Sequence, residues 1–294
     1  MTLTVVICTY LRDELLDLSL RSLDEQTAAP TAYRILVVDN AGDEATRRVC
    51  RERGADYVHE PRLGLSHARN RGMEEASTPW VLYIDDDVQA PPDLLARVVD
   101  RVSEADYAAL GGQVKPWFRS PPPRWLNRYY RSPLRPSPAM IAFGELGEEE
   151  YLIGCLLAVR RSGWAAVGGF SAALGMQGGA VGRAEEDEFQ LRLRRAGFRI
   201  YYDPAIEIDH LVQPYKYSLG GRLRLAYASG RDGIGMRGNH SLTTGQFIKR
   251  LGVITCYSLP FNLARLIVKP DYYWQNALVD TLTKYCFAWG KYRP

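Results

Sequence analysis

The chain has no C-x-x-C pair, no internal repeat, no unbroken apolar run of membrane-spanning length, and only 4 histidines in 294 residues. Each absence removes a class of protein. Cys8, Cys50, Cys155, Cys256 and Cys286 are odd in number and scattered, so neither a zinc knuckle nor a disulfide scaffold is expected. They read as free thiols of a reducing compartment. No basic stretch with an apolar core and a small-residue cleavage site stands before the run Leu3 to Cys8, so a secretory leader is not expected and a cytoplasmic location is. The stretch Phe247 to Val268 is interrupted by Lys249, Arg250, Pro260 and Arg265, which makes it a poor span against a need for about 20 apolar residues.

What is present is a folding composition, 46% hydrophobic and 24% charged, in a chain long enough for one large α/β domain with an appended segment. The net charge of +3 conceals an asymmetry, since residues 211–294 hold 12 Lys+Arg against 3 Asp+Glu and also carry 13 aromatics. The two parts are expected to do different jobs.

Val5-Val6-Ile7-Cys8 and Ile35-Leu36-Val37-Val38 are short β-type runs, and Leu16, Leu20 and Leu23 recur between them at helical spacing, which reads as a βαβ unit. A third run, Ala55 to Val58, leads to Gly64-Leu65-Ser66, where Ser66 is expected to cap a helix running through Ala76. A strand ending at Asp85 follows, then a helix opened by Pro91-Pro92-Asp93 with Leu94, Leu95, Val98, Val99 and Val102 as its buried stripe. Strands alternating with helices predict a mostly parallel sheet. Ser120 to Pro138, with Pro121-Pro122-Pro123, reads as an extended surface loop. Gly168-Gly169 and Gly175 to Gly182 mark a flexible stretch, either a lid or a plain connection. Glu185 to Glu188 open an amphipathic helix closed by Gly197, and Ile200 to Tyr202 and Ile206 to Ile208 read as two strands, the second delivering Asp209 and His210.

Trp80 to Ile84 is an apolar strand that ends abruptly in Asp85-Asp86-Asp87. Three adjacent carboxylates repel one another and are costly to bury, so a cation is expected there, a divalent metal being the simplest. A solvated Asp-rich turn is the other account. In an extended segment Asp85 and Asp87 point to one side and Asp86 to the other. The acids Glu185 to Glu188 likewise have a purely local account, as first-turn partners of a helix dipole.

Taken in order, the motifs are more specific. Cys8-Thr9-Tyr10 with Arg12, Val37-Val38-Asp39-Asn40, Gly64 to Gly72, Asp85-Asp86-Asp87, Gly168-Gly169-Phe170, and Glu186-Asp187 with Arg192 together resemble the inverting family-2 glycosyltransferases of GT-A fold over about residues 3–212. The resemblance implies an α/β fold, a Rossmann-like, mostly parallel sheet flanked by helices, with a donor-binding half over about 1–115 and an acceptor half over about 116–212. Residues 213–294 form a basic, aromatic-rich, mainly helical C-terminal extension outside the resemblance.

Such an enzyme moves a sugar from a nucleoside diphosphate, here expected to be UDP, to a hydroxyl of a glycan or lipid-linked acceptor. Departure of the diphosphate calls for Mn²⁺ or Mg²⁺, and carboxylates are suited to hold either. By resemblance Asp87 and His210 bind the metal, Asp85 the metal or the ribose, and Asp86 the donor sugar. Thr9, Tyr10, Arg12, Asp39 and Arg69 are the remaining donor-binding positions. The general base that takes the acceptor proton falls on Asp187, with Glu186 next. Asp39 as a turn cap and Arg69 as a solvated helix charge are the plain alternatives, and Asn40 stands where many relatives have a second Asp.

A nucleotidyltransferase is the competing enzyme, but Thr9-Tyr10-Leu11-Arg12 is not its Gly-rich basic loop. A non-catalytic nucleotide-sugar-binding protein is the competitor from another class. The tail either meets an anionic membrane surface from the cytoplasmic side, or packs on the catalytic domain or a second subunit as in a homodimer. No nucleic-acid-binding motif accompanies its basic composition, so no such partner is expected.

Overall fold

The computed structural model describes residues 1–103, 105–130, 141–178, 180–233 and 240–293. Two compact units are distinguished: residues 1–117, 135–178 and 185–211 form the first, and 118–134, 179–184 and 212–294 the second. The last and longest segment of the second unit starts at Val212, whereas the extension was read from sequence as 213–294. The second unit also takes in two earlier segments that sequence reasoning assigned to the acceptor half.

In the first unit the chain runs β1 (Leu3–Thr9), α1 (Asp13–Asp24), β2 (Tyr33–Asp39), α2 (Glu44–Arg53), β3 (Asp56–His59), α3 (Leu65–Glu75), β4 (Trp80–Asp85), β5 (Val88–Gln89), α4 (Leu94–Ser103) and β6 (Ala109–Trp117). It continues through β7 (Gly144–Glu145), β8 (Leu156–Arg160), α5 (Arg161–Val167), α6 (Glu185–Arg195) and β9 (Ile200–Leu211). The sheet order is β3-β2-β1-β4-β8-β6-β9-β5, with β7 also on β9. β3, β2, β1 and β4 are mutually parallel, whereas β8 runs antiparallel to both β4 and β6, so the sheet is mixed.

Alternation along β1 explains the layering. Val5 and Ile7 face α1 and α4, whose Leu16, Leu20, Leu94, Leu95 and Val98 complete one core. Val6 faces the other side, where Met73, Phe170, Phe189 and Leu193 from α3, α6 and their connections make a second core. After β3 the chain returns to the opposite side of β1, so the strand order reverses between β1 and β4. At such a reversal the connections diverge and leave a crevice beyond the carboxyl ends of the strands. β1 ends there at Thr9, β2 at Asp39 and β4 at Asp85.

Three local expectations change. Ser66 does not cap α3: the position before the helix is Gly64, and the Ser66 hydroxyl donates to the Leu174 carbonyl (2.9 Å), tying α3 to the Gly-rich connection. The two strands expected over 200–208 are one, β9, because a register shift opposite Gly112 and Gln113 absorbs Pro204 without breaking the pairing to β6. In the Pro-rich stretch, Arg124–Tyr129 is a 3₁₀ helix that buries Leu126, not an extended loop, and 131–138 lies outside the described residues, as does Gly179 of the second Gly-rich stretch.

The second unit is helical, as the tail composition led us to expect. α7 (Leu219–Asp232), α8 (Thr244–Val253), a π-helical turn (Ile254–Ser258), α9 (Leu259–Val268) and α10 (Trp274–Tyr292) follow one another. α7 and α10 cross at glycine: a Cβ on Gly230 would lie 2.2 Å from the Phe287 carbonyl oxygen, and one on Gly290 2.2 Å from that of Tyr227. Asp280 on α10 accepts from Tyr129 (2.8 Å), Tyr272 (3.0 Å) and Arg265 (3.3 Å), which anchors the 3₁₀ turn and α9 to the same helix.

Candidate active site

The end of β4 decides the geometry. Asp85 closes the strand, and Asp86 and Asp87 form a turn before β5. β5 pairs antiparallel with β9, Val88 opposite His210, and the Leu211 amide donates to the Asp87 carbonyl (3.0 Å). This brings His210 Nε2 to 3.0 Å from Asp87 Oδ1 and 3.5 Å from Asp85 Oδ2. Asp85 and Asp87 therefore converge on one group as expected, although a turn and not a continued strand brings them together.

The repulsion anticipated among the three acids is answered by the chain's own cations. Arg12 donates to Asp86 Oδ1 (2.6 Å) and Asp87 Oδ2 (2.8 Å). Its approach depends on Leu11, which holds φ at +54° and turns the chain back after Tyr10. Asp86 is buried, and Thr9 donates to its second oxygen (2.8 Å). Both Thr9 and Asp86 are thus spent on one another and on Arg12, and they shape the turn without presenting free polar atoms. Burial pushes the Asp86 carboxyl up to about 7, against the pull of Arg12. His210 is moved up to about 9: burial works against its charge, but hydrogen bonds to Asp85 and Asp87 outweigh it. Tyr10, next to Thr9 in the chain, is half-buried.

Arg69 is neither a solvated helix charge nor an open donor ligand. It is 3% exposed, and its Nη1 donates to Glu185 (3.0 Å) while Nη2 lies 3.9 Å from Asp85. Burial disfavours its charge, yet Glu185 and Asp85 more than restore it. The guanidinium fits because residue 154 is glycine; a Cβ there would stand 2.6 Å from Nη2. Arg69 is accordingly the bridge between the acids after β4 and those opening α6.

On α6 the four acids separate. Glu185 is held by Arg69, and Glu188 by Arg192 (2.6 Å), which also donates to the carbonyls of Val167 and Gly169. Glu186 faces the same cluster as Glu185, acting electrostatically on Arg69 and Cys155, and its Oε2 is shielded from solvent without a hydrogen-bond partner. Asp187 is half-buried. Burial and the Glu186 charge push the Glu185 carboxyl up to about 7.

Asp39 is fully buried, and its carboxylate accepts from the amides of Ala41 (2.8 Å) and Asp43 (2.7 Å) and from Tyr57 (2.9 Å). Its turn-capping account is therefore realised, with one lone pair of Oδ1 uncommitted. Asn40 is explained by its amide: Nδ2 donates to the carbonyls of Glu60 (2.7 Å) and Arg62 (2.8 Å), and Oδ1 accepts from Gly64 (2.7 Å). An aspartate could not make the two donor bonds.

One residue was missed. Asp85, Cys155 and His210 present ligand atoms that all lie within 4.8 Å of one another. β4 and β8 pair with Ile84 opposite Leu156, so antiparallel register sets Cys155 beside Asp85. In sequence it is one scattered cysteine among five, and only the unanticipated antiparallel strand reveals it. A donor set of carboxylate oxygens, an imidazole nitrogen and a thiol fits a divalent transition-type cation better than Mg²⁺, which prefers oxygen alone.

Comparison with known proteins agrees with this fold. A family model described as glycosyl transferase family 2 matches residues 4–165. The chain is 28% identical over 234 residues to the succinoglycan biosynthesis protein ExoM of Rhizobium meliloti (strain 1021), covering 76% of this chain and 72% of that one. It is 25% identical over 232 residues to a glucosyl-dolichyl phosphate glucuronosyltransferase of Haloferax volcanii, covering 74% and 71%. Among solved structures, the mannosyltransferase PcManGT of Pyrobaculum calidifontis, in complex with GDP-Man and Mn²⁺, superposes with a TM-score of 0.66 at 18% identity, over 96% of this chain and 85% of that one. The chain belongs to glycosyl transferase family 2 and is a nucleotide-sugar glycosyltransferase of GT-A fold.

Proposed function

Within that family, we propose an inverting, divalent-cation-dependent transferase that moves a sugar from a nucleoside diphosphate, UDP in our reading, to a hydroxyl of a glycan or lipid-linked acceptor. One observation carries the reading: the ionic chain Asp85, Arg69, Glu185, its last two members buried, joins the acids after β4 to those opening α6. The competing nucleotidyltransferase gives way to the family assignment.

Asp85, Asp87 and His210 would hold the cation, with Cys155 adjoining. When bound, it supplies Lewis-acid stabilisation of the charge on the departing diphosphate. The chain's own part is positional and acid–base. Arg12, partly exposed and fixed by Asp86 and Asp87, keeps a cationic face toward the donor. Thr9 and Asp86 hold the turn that aims Asp87. Asp39 would reach a nucleobase only through the spare lone pair of Oδ1. Tyr10 offers a half-buried ring for stacking.

For the base we keep Asp187, half-buried on α6, with Glu186 next. Glu185 and Glu188 pair with Arg69 and Arg192, and Glu186 shares a hydrogen bond with Glu185, while the place of Asp187 in the family's E-D motif assigns it the acceptor proton. Two assays bear on this. Nucleotide release from UDP-, GDP- and dTDP-sugars, with Mn²⁺ or after chelation, tests donor and metal together; release unaffected by chelation ends the metal reading. Asp187→Asn should lower turnover by about 10²–10⁴-fold with donor affinity kept. If Glu186→Gln does so instead, the base is Glu186.

A further inference from the structure

Helix surfaces in water turn polar side chains outward, and the last half of the α8–α9 helix does the reverse. Asn262 is 2% exposed and donates to Thr281 (2.9 Å), and Arg265 bends inward to Asp280 and lies 4.2 Å over the Tyr272 ring. Ser258 is also turned inward, accepting from Lys284 (3.0 Å). Outward stand Val253, Tyr257, Phe261, Leu263, Ile267 and Val268, with Ile267 89% exposed and Tyr257 70%. Of the charges expected to break this run, Lys249 and Arg250 are exposed as anticipated, but Arg265 is on the covered face, and the outer face from Val253 to Val268 is apolar but for Thr255, whose hydroxyl is bonded to Leu251 and Tyr285. Thr244–Val268 is long and apolar enough to cross a membrane.

We propose that this helix lies in the plane of an anionic bilayer, its Tyr257–Phe261–Ile267 face sunk among the acyl chains and its flanking cations on lipid phosphates. Three observations select that occupant. Lys249 and Arg250 are exposed one turn before Val253, at the end of the apolar face, where they suit phosphate headgroups. Trp274 (63% exposed) and Trp289 (49%) stand outward on α10, the ring type that favours the headgroup zone. Finally, the opposite face of the helix is covered by α10, which carries Asp280 and Lys284; a span would drive those charges into hydrocarbon, whereas in-plane seating leaves them wet. A second copy is disfavoured as the occupant, because a self-complementary dimer across this face would bring Lys249, Arg250 and Lys269 of both copies together. The inference does not depend on sugar transfer.

The test is flotation of the full chain with phosphatidylcholine vesicles, with and without phosphatidylglycerol, at low and high salt, alongside light scattering. The protein should float with the anionic vesicles. Tyr257→Glu/Phe261→Glu, at exposed positions that leave the fold intact, should weaken partitioning by at least about tenfold. Lys249→Glu/Arg250→Glu should remove the preference for anionic lipid. Failure to float at low salt, flotation untouched by the aromatic pair of changes, or a dimer that the aromatic changes split in the absence of vesicles would each overturn the proposal.

Discussion

Arg69→Met is the most informative single change, because Arg69 faces both acid groups, Glu185 and Asp85. The substitution keeps length and removes the charge, leaving Glu185 (3.0 Å) and Asp85 (3.9 Å) without their shared partner. Breaking a buried pair on one side costs about 3–5 kcal/mol, chiefly from the stranded charge, whereas replacing both partners with apolar groups is often close to neutral. Arg69→Met should therefore lose about 3–5 kcal/mol in denaturant unfolding, and Arg69→Met/Glu185→Met should recover most of it. The pH dependence has a definite sign. Glu185 titrates near 7 in the folded chain against an ordinary 4.5, so its contribution to stability is complete below pH 4.5 and is lost as pH rises through about 7. Removing Arg69 raises that carboxyl further, so the deficit of the single variant should be larger at pH 8 than at pH 5. A single variant within about 1 kcal/mol of the parent, or a deficit that grows on acidification, would refute the bridging role.

Asn40→Asp should destabilise the chain by about 3 kcal/mol in thermal unfolding, since a carboxylate would face the Glu60 and Arg62 carbonyls in place of two donor bonds. An unchanged melting temperature would show that the 60–64 loop does not depend on that amide. Gly154→Ala should push Arg69 off its position, lowering turnover together with stability by about 1–3 kcal/mol, and a crystal structure with Arg69 unmoved would contradict the close fit. His210→Asn should weaken Mn²⁺ binding at least about tenfold by calorimetry, with a smaller loss for Cys155→Ser. Equal affinity in the His210 variant would remove that ring from the ligand set.

How much of the site was legible depended on whether local spacing or distant pairing made it. The end of β4 could be read because an apolar run stopping at three acids is a local signal, and His210 because it stands beside Asp209 near the end of β9. The partners of those acids were not legible. Thr9 and Asp86 are 77 positions apart, and Arg69 and Glu185 are separated by 116, so nothing in their neighbourhoods says that each satisfies the other. The sequence reading accordingly gave these polar groups to a ligand, when the fold had first to satisfy them internally. Cys155 was hidden for a related reason: its place beside Asp85 follows from an antiparallel strand inserted in a sheet that alternation suggested would be mostly parallel.

The second unit shows the opposite failure. Composition gave its charge and its helices correctly, but a linear count treats Arg265 as an interruption because it cannot say which way a side chain turns. One helical turn is about 3.6 residues, so Asn262, Arg265 and Ser258 fall on a single side, and that side meets Thr281, Asp280 and Lys284 of α10. A buried polar seam and an exposed apolar face arise together: once α10 supplies the partners, the polar groups have reason to point inward and only apolar groups remain outside. Asp280→Asn is therefore a sharper probe of the tail than any surface change. It removes the charge that holds Arg265, leaving a guanidinium of 18% exposure beside Tyr272 with a neutral partner. Arg265 should then turn outward, which would place a charge in the apolar face and weaken vesicle binding while the first unit's nucleotide release stays unchanged. Vesicle binding that persists with Arg265 still inward would mean the Tyr272 ring and Asn262, not the ion pair, hold it there.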